Sequence, residues 1–160
     1  MRRLATVGVY ESDLDSFLAA LRDADVGLVL DVRQRRGVRG SRYAWANAQR
    51  LQAALRDAGI AYAHHKELAP TTELRHVQYA EDDRLGVGKR SRTDLAPAYI
   101  ERYRREILDR VDLAPLVEAM PDGRTSALLC VEREPAACHR SLVAAELAAS
   151  FGLPVTHLQP

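Results

Sequence analysis

The chain has 160 residues, the length of one ordinary domain and too short for two full-sized ones. Hydrophobic residues at 47% and charged residues at 28% give the balance of a globular chain rather than a disordered one, and a net charge of +1 excludes a protein that is basic overall while leaving room for a local basic face. No apolar run approaches the roughly 20 residues of a membrane-spanning helix, and Met1-Arg2-Arg3-Leu4 leads into a strand-like stretch rather than a secretory leader.

Leu4–Val9 reads as a first strand, after which Ser12 is placed to cap a helix carrying Leu14, Phe17, Leu18 and Leu21 on one stripe. Gly27–Val32 is apolar without alternation up to Asp31, as expected of a strand covered on both faces. A loop rich in arginine and glycine fills 33–46, and Asn47 is positioned to cap a second helix with Leu51, Ala54, Leu55 and Ala58 inward and Gly59 at its end. Ile60–His64 is a third strand. The polar segment 65–94 has no clear periodicity; we expect an irregular, flap-like insertion or one hiding short helices. Asp94 is placed to cap a helix bearing Tyr99, Ile100, Tyr103, Ile107 and Leu108, a shorter helix runs near 113–120, and Pro121-Asp122-Gly123 makes a turn. A buried strand at 126–131, a helix ending near Gly152 and a last strand near 153–158 complete the pattern.

Alternating strands and helices call for an α/β chain with a mostly parallel sheet and helices on both faces, organised as one domain over 1–160. Right-handed crossovers put the strand-to-helix loops at one edge, where such sheets bind ligands. That rule selects Tyr10-Glu11-Ser12, the stretch from Asp31 to Arg42, His64-His65-Lys66-Glu67 and the stretch from Cys130 to Ser141.

The last of these stretches is the sharpest. Cys138, His139, Arg140 and Ser141 fall at or near a helix N-terminus, where free amides and the helix dipole attract anions and lower a thiol's pKa. Arg140 is placed to grip a phosphate or carboxylate, and Glu132 to orient Arg140 or His139 or to act as a base. The competing reading makes Cys130 a core residue and Glu132–Arg140 a structural ion pair. Two cysteines are too few for a disulfide framework, so we expect a cytoplasmic protein with reduced thiols. Metal binding is disfavoured: seven residues separate Cys130 from Cys138, not the two to four of a zinc knuckle, and the neighbours Cys138 and His139 should point apart. We therefore expect no metal and no cofactor.

The arginine loop, with Arg33, Arg35, Arg36, Arg39 and Arg42 in ten residues, is suited to a phosphate-bearing ligand or a nucleic-acid backbone, and Tyr43 and Trp45 offer stacking planes unless they close the core. Asp31 is a candidate acid or a partner fixing Arg33 or Arg140. Gly86-Val87-Gly88-Lys89 lacks the spacer and preceding strand of a phosphate loop, which leaves this stretch as a basic flap over the sheet edge.

Thr6-Val7-Gly8, Asp31-Val32-Arg33, Ile60–His64 with Glu67-Leu68, and above all Leu129-Cys130-Val131-Glu132 with Pro135 and Cys138-His139-Arg140-Ser141, resemble the DUF488 family of uncharacterised bacterial and archaeal proteins. The resemblance implies a Rossmann-like three-layer α/β sandwich and directs attention to Asp31, Arg33, His64, Glu67, Cys130, Glu132, Cys138, His139, Arg140 and Ser141. Where the family often carries a Gly-Gly pair after Leu68, this chain reads Ala69-Pro70-Thr71-Thr72. Two functional expectations follow. In the first, a small anionic, phosphate-bearing or nucleotide-like ligand is held by Arg33 and Arg140 with Asp31, His64 and Ser141 nearby. Cys138 is then nucleophile or thiol ligand, and His139, His64 or Glu132 moves protons. In the second, a non-catalytic module binds nucleic acid through Arg35, Arg36, Arg39 and Arg42.

Overall fold

The apolar runs form the middle of a five-stranded, all-parallel sheet in the computed structural model, which describes residues 1–160. The strands are β1 (Arg3–Val7), β2 (Val26–Asp31), β3 (Ala61–His64), β4 (Thr125–Leu129) and β5 (Val155–His157), in the order β3-β2-β4-β1-β5. Every residue of β2 and β4 is buried, and β1 is buried beyond Arg3, as a parallel sheet covered on both faces requires. With the helices the architecture is a three-layer, Rossmann-like α/β fold.

Register sets the functional edge. Val7 pairs with Leu129, Leu129 with Asp31, and Asp31 with His64, so four strands end in one row and their loops leave from the same side. The sequence reversal that places β4 between β2 and β1 brings the loops after Asp31 and Leu129 together, although nearly a hundred residues of chain separate them. The ladder extends past the strands: Val32 N–H donates to the Leu129 carbonyl and both Val9 and Tyr10 N–H donate to that of Val131.

The helices are α1 (Leu14–Asp23), α2 (Ala48–Asp57), α3 (Thr72–Leu85), α4 (Pro97–Glu106), α5 (Ala114–Ala119) and α6 (Arg140–Phe151), with short 3-10 turns at Ser41–Ala46, Lys66–Leu68, Leu108–Arg110 and Pro135–Ala137. Their caps differ from the sequence expectation. Asp13, not Ser12, caps α1 in a reciprocal box with Ser16, because the Ser12 hydroxyl donates back to the Val9 carbonyl. Asn47 precedes α2 but spends its side-chain oxygen on the Val38 amide. Helix α4 starts at Pro97, whose missing N–H costs nothing in the first turn, rather than from a cap at Asp94.

The segment 65–94 contains the 14-residue α3, whose buried positions are Leu74, Gln78 and Asp82. Two of the three are polar, which removes the apolar stripe that periodicity detects. They are satisfied internally: Gln78 Nε2 donates to Asp82 at 2.9 Å, and Gln78 Oε1 accepts from the Ala96 amide at 2.8 Å, tying α3 to the start of α4.

Gly8 shows how closely the functional loops are packed. A Cβ at this position would lie 2.1 Å from the Glu132 carbonyl oxygen, a backbone atom that cannot swing aside, whereas one on Gly37 would meet nothing. Gly8→Ala should therefore lower unfolding free energy by about 1–3 kcal/mol as an overpacking change, and Gly37→Ala should leave it nearly unaltered; paired denaturant melts check this.

Candidate functional site

The loops after β1, β2 and β4, together with α3 and the stretch 88–92, enclose a cleft of about 680 Å³ at the carboxyl edge of the sheet. Its floor is a cluster of two thiols and an imidazole. Cys130 directly follows β4; Cys138 and His139 sit where the 3-10 turn at Pro135–Ala137 gives way to α6. Cys138 is extended (φ −137°, ψ 143°) and His139 helical (φ −60°, ψ −20°), so the chain turns between them. This turn overrides the expectation that neighbouring side chains diverge: both Cys130 Sγ and Cys138 Sγ lie 3.8 Å from His139 Nδ1.

His139 is oriented from behind. Its Nε2 lies 2.8 Å from the Val32 carbonyl, which can only accept, so Nε2 carries a proton and Nδ1 is directed at the thiols. The Tyr103 ring packs against the imidazole with centroids 5.6 Å apart, and the Tyr103 hydroxyl donates to the Leu68 carbonyl at 2.6 Å.

The two thiols split in acidity. Burial resists ionisation of Cys138, but the Cys130 S–H, the charge on His139 and the Arg140 guanidinium outweigh it and hold Cys138 well below the usual thiol range. Cys130 is pushed well above that range by its hydrogen bond to Cys138, by burial and by the neighbouring negative charge. Glu132 is raised by burial and by Cys138 despite Lys89 and Arg92. Its Oε2 accepts from Cys130 at 3.4 Å and its Oε1 from Arg92 at 3.0 Å. Arg92 also donates to Asp82 at 2.7 Å and to the Ala137 carbonyl at 3.2 Å, fixing the carboxylate from the α3 side.

Several residues singled out in the sequence spend their polar groups on internal partners around this cluster. Asp31 and Arg33 form a closed pair with side chains 0% and 2% exposed: Arg33 Nε and Nη2 donate to the two Asp31 oxygens at 2.9 and 2.8 Å, and Nη1 donates to the Ala46 carbonyl. Asp31 also accepts from Tyr62 at 2.5 Å, which leaves neither partner a group to offer a ligand. His64 Nε2 bonds the Arg33 carbonyl at 2.8 Å. Arg140, expected as an anion contact, is fully buried, and its Nη atoms donate to the carbonyls of Glu132 and Arg133 at 2.6 and 3.1 Å. It braces the loop from inside. Ser141 Oγ donates to the Cys138 carbonyl at 2.8 Å, and Glu67 meets His65 at the surface.

The arginine loop divides. Arg35 and Arg39 line the cleft, whereas Arg36 turns to the Tyr62 hydroxyl at 3.4 Å and Arg42 reaches Glu11 at 3.6 Å and lies over the Tyr43 ring. Tyr43 is buried beside Tyr10, and Trp45 packs on Phe17, so both aromatics close the core. The cleft gains three cations that the sequence reading did not assign to a ligand: Arg75, Lys89 and Arg90. Arg75 is held by Gln34 and Tyr79, and Arg90 lies over the Tyr10 and Tyr43 rings at 5.0 and 5.3 Å. The available signal was Lys89, one of only two lysines in the chain, beside a glycine-rich turn.

A family model described as "Domain of unknown function DUF488" matches residues 13–147, and the chain belongs to that family. No curated protein and no solved structure matches it significantly.

Breaking the Asp31–Arg33 pair from one side strands a buried guanidinium, so Asp31→Ala should cost about 3–5 kcal/mol of stability. Removing the exposed Arg42–Glu11 pair through Arg42→Ala should cost less than about 1 kcal/mol. Thermal and denaturant unfolding of the two variants measures the contrast.

Proposed function

We propose that this DUF488 protein binds a small anionic ligand, of phosphate-bearing or nucleotide-like type, in the cleft at the carboxyl edge of its sheet, and presents it to the thiol–imidazole floor for cysteine-assisted chemistry. The observation that carries this reading is the charge of the lining. Arg33, Arg35, Arg39, Arg75, Lys89, Arg90 and Arg92 line the cleft against a single acid, Glu132. Arg33 is neutralised by Asp31, and Arg92 by Asp82 and Glu132. The other five take part in none of the molecule's ion pairs. Lys89 stays cationic: burial works against its charge, but Glu132 and the surrounding groups outweigh it. Unpaired cations in a concave, partly dehydrated site attract anions more strongly than the same charges on an open surface.

The division of labour supports the same reading. Asp31, Arg33, His64, Arg140 and Ser141 build the walls, and Arg35, Arg39, Arg75, Lys89 and Arg90 are the ligand's contacts. Tyr10, Tyr79 and Tyr99, with Val38, Leu95 and Val131, supply apolar lining suited to an organic moiety attached to the anion. The alternative of nucleic-acid binding through the arginine loop is less favoured, because Arg36 bonds the Tyr62 hydroxyl, Arg42 is paired with Glu11 at the surface, and Tyr43 and Trp45 are not free to stack on bases.

Calorimetric titration with inorganic pyrophosphate and with a nucleoside monophosphate tests the proposal. Binding should weaken with added salt, and Lys89→Gln and Arg39→Gln should each reduce affinity by roughly tenfold or more, the worth of one charge-assisted hydrogen bond. Affinity unchanged in both variants, or binding only of oligonucleotides with loss on replacing Arg36 and Arg42, would contradict it.

A further inference from the structure

We propose that Cys130 Sγ, Cys138 Sγ and His139 Nδ1 form a three-ligand site for a zinc-class divalent metal ion, with its fourth position open to the cationic cleft. The ligand atoms of these three residues lie within 4.8 Å of one another. Tetrahedral coordination at about 2.3 Å to sulfur and about 2.05 Å to nitrogen places a sulfur and a nitrogen ligand roughly 3.5 Å apart. Each thiol stands 3.8 Å from Nδ1, so small side-chain rotations bring all three to bonding distance. Two thiolates and an imidazole are a soft donor set that selects zinc over magnesium or calcium.

The surroundings have the features of a prepared metal centre. The imidazole is fixed by its other nitrogen on the Val32 carbonyl, the usual outer support of a ligating histidine, which leaves Nδ1 free to coordinate. The loop joining Cys130 to His139 is clamped: Arg140 holds the carbonyls of Glu132 and Arg133, and Gly8 packs so closely against the Glu132 carbonyl that no side chain fits between them. Two thiolates offset the charge of a divalent ion, so the buried centre is neutral. All three ligand residues line the cleft, so a water molecule or an oxygen of the bound anion can complete the tetrahedron. Three protein ligands with one open position is the pattern of a catalytic rather than a structural zinc site, and the ion would act there as a Lewis acid. Glu132, held by Arg92 with Oε2 at 3.4 Å from Cys130 Sγ, also lines the cleft and would be a candidate to accept a proton from water on the ion.

The proposal concerns the metal alone and does not need the anion. Reduced, chelator-stripped protein would be titrated with zinc against a chromophoric chelator and, separately, with cobalt(II). The expected result is one zinc per chain, together with a cobalt spectrum that shows thiolate charge transfer and intense tetrahedral d–d bands. Zinc should also protect both thiols from alkylation. Cys130→Ser and Cys138→Ser should each weaken zinc binding by about a hundredfold while melting as folded proteins, whereas Arg39→Gln, at the exposed rim of the cleft, should bind zinc like the parent; the anion reading can thus fail without the metal site failing. No stoichiometric uptake by the reduced parent protein, zinc affinity undiminished from the parent's in both serine variants, or a cobalt spectrum without thiolate bands would overturn it. The cobalt readout on the parent keeps the test decisive even if a variant does not fold.

Discussion

A single hydrogen bond, from His139 Nε2 to the Val32 carbonyl, joins the two loops on which the site depends. It links the residue after the end of β2 to the residue before the start of α6, and it can exist only because β4 lies between β2 and β1 in the sheet. Its chemical effect exceeds its energy, about 1 kcal/mol for a typical buried bond. By settling which ring nitrogen carries the proton, it turns the other toward two thiols. Everything on the cleft floor follows from that orientation.

Around this bond the molecule separates charges that must be neutralised from charges that are left available. The Asp31–Arg33 pair and the Asp82–Arg92–Glu132 bridge are buried and internally satisfied, which is the condition under which ions can be taken out of water at tolerable cost. Arg140 goes further, serving carbonyl oxygens alone. These groups hold the loops in place. Arg35, Arg39, Arg75, Lys89 and Arg90 face the cleft outside any ion pair, whereas Arg33 and Arg92 are neutralised there, and that contrast between spent and unspent cations distinguishes a scaffold from a binding surface in a chain whose net charge is close to zero.

Sequence reasoning succeeded where one physical effect dominated. Strands β2 and β4 are apolar throughout because both faces of a central parallel strand are covered, and the block from Cys130 to Ser141 carried the family membership that the match over residues 13–147 shows. It failed where effects compete within a few residues. Ser12, Asn47 and Asp94 were all chemically able to cap helices, but two of them bond elsewhere and the third yields to Pro97. Helix α3 hides its buried face behind Gln78 and Asp82. The convergence of Cys138 with His139 depends on a change of backbone conformation between adjacent residues, and no spacing rule encodes it. The same blindness made Arg140 look like an anion contact, since a helix N-terminus predicts proximity to a ligand but not the direction in which a guanidinium turns.

Two thiols and one imidazole nitrogen meet at the floor of a cationic cleft. A crystal structure of the reduced protein soaked in zinc, with diffraction recorded on both sides of the zinc absorption edge, tests it most directly. The expected result is an anomalous peak bounded by Cys130 Sγ, Cys138 Sγ and His139 Nδ1, with His139 Nε2 still bonded to the Val32 carbonyl. A structure in which Cys138 turns away from the imidazole, with no anomalous peak among the three, would contradict it.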